Sequence, residues 1–263
     1  MDKEIMDFNA QFNEEIKEIT IITETSPLSG AKFGVEIFYE IRCEITAWKF
    51  INADEVFTGN YFLTGKADLE QINELREKIL PDSIVSLKVR QKGNSFLIVE
   101  IIENKNVNEA LTNILKEQTK PVIYKDKTLG KFTLDKRFGI YTGKIKWNNK
   151  SIEMNIEKYT GKRLDDIFAA ANELVKEQSI WDKRIKEFAA EKLLKLKNKN
   201  WLEDGEKEIT AEQFIKKMKL ESIEVSLKNK FEFCFDDGDL FWGHIIMVYG
   251  NLEKGPLKAE IEG

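Results

Sequence analysis

Hydrophobic and polar residues alternate along the stretch GVEIFYEIRCEITAW, residues 34–48. Alternation with this period is typical of a half-buried strand that has one face in the core and one face in water. We therefore predict a long antiparallel strand over residues 35–47. Its polar face presents Glu36, Glu40 and Glu44 as an acidic stripe. Its apolar face is formed by Val35, Ile37, Tyr39, Ile41, Cys43 and Ile45.

Helical spacing follows in ADLEQINELREKILP, residues 67–81. Asp68 and Gln71 form a capping-box pair at its start, so we predict a helix of about three turns. A hairpin is predicted around Lys92-Gly93-Asn94, because short apolar runs flank a turn that contains glycine. The sequence VNEALTNILKEQ, residues 107–118, predicts a second helix.

The charge along the chain indicates two domains. Residues 1–119 hold 13 Lys and Arg against 21 Asp and Glu, a net of −8, whereas residues 120–200 sum to +9 and residues 201–263 to −6. The helical pattern also ends near the first of these changes, where a proline follows. A chain of 263 residues exceeds the usual domain size of roughly 100–200 residues. We predict one domain over residues 1–119 and another over residues 120–263.

The second half opens with the clearest hairpin signal in the chain. The strands GIYTGKIKW and KSIEMNIEK flank Asn148-Asn149, a two-residue turn. This turn predicts a register in which Lys144 lies opposite Glu153 on the solvated face. The predicted core face is formed by Tyr141, Ile145, Ile152, Met154 and Ile156.

Helices and further strands complete the second half. A long helical stretch covers residues 163–201, and a shorter helix, residues 210–220, begins with a capping box at Thr210 and Gln213. Apolar spacing in the long stretch predicts a stripe of Leu164, Phe168, Ala171, Val175, Gln178, Trp181, Ile185 and Phe188. Three strands and a fourth segment after a turn at Lys254-Gly255 end the chain. We predict an α+β fold of two domains, each an antiparallel sheet packed against helices.

Composition favours a folded protein of the cytoplasm. With 42% hydrophobic and 33% charged residues, the chain has too much apolar material for a disordered one. The acidic start has no secretory apolar segment, and no later run approaches a membrane span. Cys43 and Cys234 lie too far apart for a Cys-x-x-Cys motif, so we expect buried thiols.

Several kinds of catalytic site lack their residues. The single histidine excludes a His-x-x-x-His metal pair, and no Gly-x-Ser-x-Gly nucleophile turn occurs. The segment GNYFLTGKA, residues 59–67, departs from a phosphate loop in its glycine spacing, and Ala67 stands where Ser or Thr would bind magnesium. We therefore lean towards a protein that is not an enzyme and that uses no cofactor.

One segment retains a candidate chemistry: FDDGDLFWGHIIMVYG, residues 235–250. If Asp237-Gly238 is a two-residue turn, Asp236 and Asp239 face each other and repel. A divalent cation would relieve that repulsion, because hard cations take clustered carboxylate oxygens.

The functional interpretation is a metal site in a metal-dependent hydrolase. The metal candidates are Asp236, Asp237 and Asp239, with Glu232 or His244 assisting, and the catalytic candidates are Asp236, Asp239 and His244. The structural interpretation is a solvated turn in which the aspartates set the turn geometry and the histidine hydrogen-bonds within the sheet. We favour the second, because the spacing does not fit a calcium loop.

Residues 120–150 form a basic stretch with nine Lys or Arg against Asp126 and Asp135. Such a stretch is typical of a nucleic-acid surface, with Tyr141 and Trp147 as stacking partners. The predicted hairpin register buries these two aromatics, however, and the sequence pI is about 5.4. Nucleic-acid binding is therefore our third hypothesis.

From about residue 127 to the end, the chain resembles domain-of-unknown-function family 2262, a family of uncharacterised bacterial proteins. The resemblance lies in LGKFTLDKRFGIYTGKIKW, in LLKLKNKNWLEDGEKEITAEQFIKKMKLESI and, most specifically, in DDGDLFWGHIIMVYGNLEKGPLKAEIEG. It implies an architecture and marks residues 237–244 as a family feature. The family has no agreed activity, so no catalytic residue is implied. The first half resembles no family that we recognise.

The leading hypothesis is a non-enzymatic bacterial protein that binds another protein. An immunity-type or accessory role is an analogy with other small acidic bacterial proteins. The stripe of Glu36, Glu40 and Glu44 suits a basic partner, and Trp242 is a further candidate for partner binding. The metal-dependent hydrolase and nucleic-acid binding are the alternatives, and the sequence decides neither the partner nor the oligomeric state.

Overall fold

The computed structural model describes residues 2–102 and 109–263. The chain divides into two compact units, one ending at Lys120 and one running from Pro121 to Gly263. Both units combine strands with helices, which confirms the predicted α+β class. The first two residues of the predicted second helix, Val107 and Asn108, lie outside the described residues.

Strands of the first unit close into a barrel. They are β1 (Ile16–Thr23), β2 (Ser29–Ala31), β3 (Tyr39–Phe50), β4 (Phe57–Ala67), β5 (Ile84–Lys92) and β6 (Ser95–Ile102). Their order is β1-β5-β6-β4-β3-β2, and β1 also pairs with β3. All pairs are antiparallel except β4 and β6, which run parallel. The predicted antiparallel sheet is thus a closed barrel with β2 as an added edge strand.

This connectivity is that of the OB-fold, a five-stranded Greek-key barrel. Among the barrel strands, the first (β1) pairs with the second (β3) and the fourth (β5), while the third (β4) pairs with the second and the fifth (β6). Helix α2, Leu69–Lys78, connects the third strand to the fourth. Ligands of such barrels usually lie on the face of the second and third strands, here β3 and β4. The fold alone does not fix the ligand.

Helices cover the barrel at several points. The predicted capping box of Asp68 and Gln71 starts α2, whose Ile72 is buried in the barrel core. Helix α3, Glu109–Thr119, packs Leu111 against β1 and β3 in a separate small cluster. Helix α1, Lys3–Asn9, lies against β4. The predicted hairpin also forms, between β5 and β6.

The predicted strand over residues 35–47 is partly wrong. Strand β3 begins only at Tyr39, and its alternation then places Ile41, Cys43 and Ile45 in the core as expected. Residues 32–38 form a loop instead, which we call the apolar loop, and there Val35 and Ile37 are exposed. Gly34 turns the chain here, with a φ of +59°. The alternating pattern therefore begins several residues before the strand pairing does.

The second unit is a single sheet of eight strands. They are β7 (Ile123–Asp126), β8 (Gly130–Asp135), β9 (Ile140–Trp147), β10 (Lys150–Glu157), β11 (Lys219–Ser226), β12 (Lys230–Asp236), β13 (Ile245–Asn251) and β14 (Gly255–Glu262). Strand order runs from β14 to β7 without interruption, and only β10 and β11 are parallel. Two antiparallel meanders therefore meet at the centre, joined through the helices.

The predicted hairpin register of this sheet is confirmed. Lys144 pairs with Glu153 across β9 and β10, and all five predicted core residues of the hairpin are buried. Asn148 and Asn149 both have positive φ, +47° and +66°, as a two-residue hairpin turn of this kind requires.

Three helices pack on one face of the sheet. The long helical stretch consists of α4 (Lys162–Lys176) and α5 (Gln178–Asn200), which are separated at Glu177. Five members of the predicted stripe are buried, and Val175 and Phe188 are partly buried against the core. Helix α6, Ala211–Lys217, starts with the predicted capping box. Within the described residues, no helix is long and apolar enough to cross a membrane.

Candidate functional site

The aspartate loop, residues 237–244, connects β12 to β13 and is longer than the predicted two-residue turn. Asp236 ends its strand opposite Ile245, so Asp236 and Asp239 do not face each other across a hairpin, and that prediction is wrong. Gly238 has a φ of +60°, and a Cβ there would lie 2.4 Å from the carbonyl oxygen of Lys217. The loop passes the end of α6 too closely for any residue but glycine.

Asp237 organises this loop from within. Its side chain is buried, with 3% exposure. One carboxylate oxygen accepts a hydrogen bond from the N–H of Asp239 at 3.1 Å, and the other accepts from the N–H groups of Phe241 at 2.5 Å and Gly243 at 3.4 Å. A buried carboxylate that binds several backbone donors fixes the path of the chain.

The other metal and catalytic candidates are engaged separately. Asp236 accepts hydrogen bonds from the amine of Lys219 at 3.1 Å and from the N–H of Gly238 at 2.9 Å, and both lower its pKa. Nδ1 of His244 lies 2.7 Å from the carbonyl oxygen of Phe241. Among the described residues, no three His, Cys, Asp or Glu side chains are grouped so as to hold a metal ion. The carboxylates of Asp236 and Asp237 therefore bind backbone N–H groups of the loop and set its geometry.

Trp242 stands at the tip of this loop with 58% of its surface exposed. Its φ of +56° is uncommon for a bulky residue. The indole packs on Trp201, with ring centroids 4.8 Å apart, and Trp201 packs in turn on buried Phe241 and on His244. The loop therefore displays one large aromatic side chain on a rigid aromatic support.

Two carboxylates face each other on the sheet surface away from the helices. Glu224 of β11 and Glu232 of β12 are paired in register. Burial, followed by repulsion from Glu232 and Glu157, raises the pKa of Glu224. Burial, followed by repulsion from Glu262, likewise raises the pKa of Glu232, although Lys230 opposes this. Like charges in register destabilise a sheet.

We expect Glu224→Gln to stabilise the protein at pH 7 by about 0.5 kcal/mol, because it removes this repulsion from a partly solvated site. A carboxyl whose pKa is raised on folding contributes its full stability below the ordinary value of 4.5 and loses it as the pH rises through the folded pKa. The gain should therefore vanish below pH 4.5. Urea denaturation at pH 4 and pH 7 measures it.

The matched control is Glu153→Gln, since this glutamate faces Lys144 rather than another carboxylate. It should bring no gain at pH 7. An equal gain from Glu224→Gln at both pH values would show that repulsion is not the cause.

The basic stretch lies mainly on the outer strands of the second unit. Lys131, Lys144 and Lys146 are exposed on β8 and β9. Tyr141 and Trp147, the two stacking candidates, are buried in the core. An exposed aromatic residue in this stretch is Phe138, whose ring lies 4.8 Å from the guanidinium of Arg137.

The apolar loop of the first unit carries a surface that the sequence did not predict. Phe33, Val35 and Ile37 are 59%, 101% and 65% exposed. Side chains hold the loop backbone in place, because the carboxylate of Glu36 accepts from the N–H of Phe33 and that of Glu4 accepts from the N–H of Ile37. Gly34 was the signal in the sequence that could have indicated a turn here.

A buried lysine fixes the same loop to the barrel. The amine of Lys66, on β4, lies 2.7 Å from a carboxylate oxygen of Glu36 and 3.4 Å from one of Glu4, and only 2% of the lysine side chain is exposed. The hydrogen bond from the N–H of Ile37 is the largest effect that lowers the pKa of Glu4. The loop is thus an ordered part of the barrel surface.

The three predicted partner-binding glutamates do not form one stripe. Glu36 lies in the apolar loop and is paired with Lys66, whereas Glu40 and Glu44 lie on β3. The guanidinium of Arg42 stands between these two, 3.6 Å from Glu44. Both strand glutamates lie on the OB barrel face formed by β3 and β4.

Comparisons with known proteins give families rather than activities. Residues 126–261 match the model of a family described as "Uncharacterized protein conserved in bacteria (DUF2262)", which confirms the resemblance of the second half. Residues 4–118 match a model described as "Domain of unknown function (DUF7021)". No curated protein matches the chain.

One similar solved structure is described as "Molecular basis for abrogation of activation of pro-inflammatory cytokines". It is 12% identical, the match covers 57% of this chain and 80% of that chain, and the TM-score is 0.23. A likeness this weak carries no argument about fold or function.

Proposed function

We propose that this chain, which belongs to the DUF2262 family of uncharacterised proteins conserved in bacteria, works by binding another protein through the barrel of its first unit. The observation that carries this proposal is the apolar loop. Three of its large apolar side chains, Phe33, Val35 and Ile37, point into solvent within five positions of one another. Exposed apolar clusters on a folded domain mark interaction surfaces.

The order of the loop supports the proposal. Lys66, Glu36 and Glu4 hold the backbone, so the apolar side chains stand on an ordered loop before a partner arrives. A preorganised loop loses little conformational entropy on binding, which favours affinity. The loop also joins β2 to β3, beside the face on which OB barrels usually hold their ligands.

The charge of the surroundings favours a basic partner surface. Residues 1–119 carry a net charge of −8, and Glu40 and Glu44 follow the loop on β3. A partner with an apolar groove and a basic rim would match an apolar centre flanked by carboxylates.

The same features disfavour single-stranded nucleic acid at this barrel. Nucleic-acid grooves of OB barrels combine positive charge with aromatic rings that are free to stack on bases. On the β3–β4 face, the ring of Phe62 is already covered by the guanidinium of Arg42 at 4.0 Å, and Glu44 pairs with Phe62 in register. A polyanion would meet carboxylates there.

Photo-crosslinking in the native bacterial host tests the proposal. With a benzophenone amino acid at position 35, we expect one or a few discrete protein adducts, because Val35 is fully exposed and its replacement disturbs no packing. Adding Phe33→Ser and Ile37→Ser should lower the adduct yield at least about tenfold, since a few buried anchor residues carry most of the binding energy of an interface.

The matched control places the same amino acid at Ile16, another exposed apolar residue, at the start of β1. It should give no adduct of the same mass. Identical adducts from both positions, or no adduct from position 35, would contradict protein binding through the apolar loop.

A further inference from the structure

A wide cavity of about 920 Å³ lies beside the aspartate loop in the second unit. Trp242 and Leu202 form its apolar part. Carboxylates of Glu203, Asp204 and Asp239 line the rest together with one lysine and a further glutamate. The cavity therefore combines an exposed aromatic ring with several negative charges.

The aromatic ring is fixed in its exposed position. Trp242 packs on Trp201, and the buried Asp237 carboxylate binds the N–H groups on either side of it, those of Phe241 and Gly243. More than half of the surface of this residue remains in solvent. A large aromatic side chain held this way is available to a ligand without rearrangement of the loop.

Three of the lining carboxylates have no cation of their own. Within the described residues, no Lys, Arg or His nitrogen lies within 4.0 Å of the carboxylates of Glu203, Asp204 or Asp239. The fourth, Glu206, is already paired with the buried amine of Lys197 at 2.8 Å, which lowers its pKa.

The lysine of the cavity is also engaged. The amine of Lys217 donates to the carbonyl oxygen of Gly238 at 3.3 Å. The three carboxylates without cations outnumber this one positive charge, so the space beside Trp242 is negatively charged.

We propose that this cavity binds the cationic side chain of a basic peptide segment, arginine or lysine, with its charged group against Trp242. The face of an indole ring attracts cations. The carboxylates add charge-assisted hydrogen bonds, which are stronger than those between neutral groups. A metal ion is a poorer fit, because no described group of three side chains is arranged to ligate one. This site lies in the second unit and does not rest on the function proposed for the barrel.

The test titrates the full chain, labelled with 5-fluorotryptophan, with a tetra-arginine peptide. The chain has five tryptophans, so five ¹⁹F resonances are expected, and Trp242→Phe assigns the one that matters. We expect the resonance of Trp242 to shift in a saturable way while that of Trp48, buried in the barrel, stays in place. Tetra-glutamate should cause no shift.

Affinity measured with fluorescein-labelled tetra-arginine separates the site from general attraction. Trp242→Leu, which keeps an apolar side chain but removes the ring, should weaken binding at least about tenfold, a loss of about 1.4 kcal/mol. Trp242→Phe should weaken it less. Glu203→Gln combined with Asp204→Asn should also weaken binding at least about fivefold, because it removes two carboxylates that pair with the cation.

The matched control is Glu221→Gln with Glu253→Gln, which removes the same charge from exposed positions outside the cavity. It should change the affinity less than twofold. The proposal is overturned if Trp242 does not shift, if tetra-glutamate shifts it equally, or if both charge-neutralised pairs weaken binding to the same extent. None of these outcomes bears on the crosslinks expected from the apolar loop.

Discussion

Trp48→Ala is expected to lower the free energy of unfolding of the barrel by about 4 kcal/mol, the cost of removing a large aromatic side chain from a packed core. Trp48 is 4% exposed. Its ring stacks on Phe57 at 4.5 Å and meets the edges of Phe96 at 5.0 Å and Tyr61 at 5.6 Å. Alanine would leave these rings around a cavity, and the closed barrel cannot contract to fill it.

Trp48→Phe should cost clearly less, about 1–2 kcal/mol, although it also leaves a smaller cavity. Within the described residues, the indole N–H of Trp48 has no acceptor, so phenylalanine removes a buried polar group that gains nothing from the protein. Hydrogen exchange of the amides of β3 and β4 in the full chain measures both variants in this unit. Both variants remove the indole N–H. Equal losses in the free energy of unfolding would therefore show that this group, rather than the volume of the side chain, provides the stability.

Asp237→Ala should destabilise the second unit by about 3 kcal/mol. The substitution removes the acceptor of three backbone N–H groups. The N–H of Phe241 is buried and would be left without a partner, at a cost of about 1–3 kcal/mol, while the other two can be reached by water. Loss of these bonds should also release Trp242 from its fixed position.

The matched control for this loop is Asp239→Asn, because Asp239 is exposed and asparagine tolerates its φ of +65°. It should change stability by less than about 0.5 kcal/mol. Urea unfolding followed by tryptophan fluorescence is suitable, since four of the five tryptophans lie in the second unit. If both variants unfold at the same urea concentration, the carboxylate of Asp237 is not the organiser of the loop.

The two loops that carry the proposals show how a sequence pattern can mislead. In the apolar loop, Val35 and Ile37 extend the alternation of β3 towards the N-terminus. The N–H groups of Phe33 and Ile37, however, bind the carboxylates of Glu36 and Glu4 rather than a neighbouring strand. In the aspartate loop, Asp-Gly predicts a tight turn, yet the Asp237 carboxylate binds amides up to six residues ahead and builds a longer loop.

What the sequence determined by itself is local. The capping boxes at Asp68 and Thr210 and the Asn148-Asn149 turn involve groups within four residues of one another, so the residues that make each bond are adjacent in the printed chain. The register of β9 on β10 follows directly from that turn, because a side-chain period of two leaves no freedom once the turn is fixed. The buried faces of these strands and of α4 follow from periodicity in the same way.

Only the tertiary structure decided how the strands meet. Strand β1 was not predicted, because Ile19, Ile21 and Ile22 do not alternate with polar residues in a regular way. Ile19 and Ile21 lie in the barrel core, whereas Ile22 lies on the other side of the strand, against α3. Closure of β1 on β3, and the parallel pairs β4–β6 and β10–β11, join segments that are far apart in the chain. Such pairings depend on the packing energy of the whole unit, which no local pattern records, and they place the apolar loop beside a barrel face.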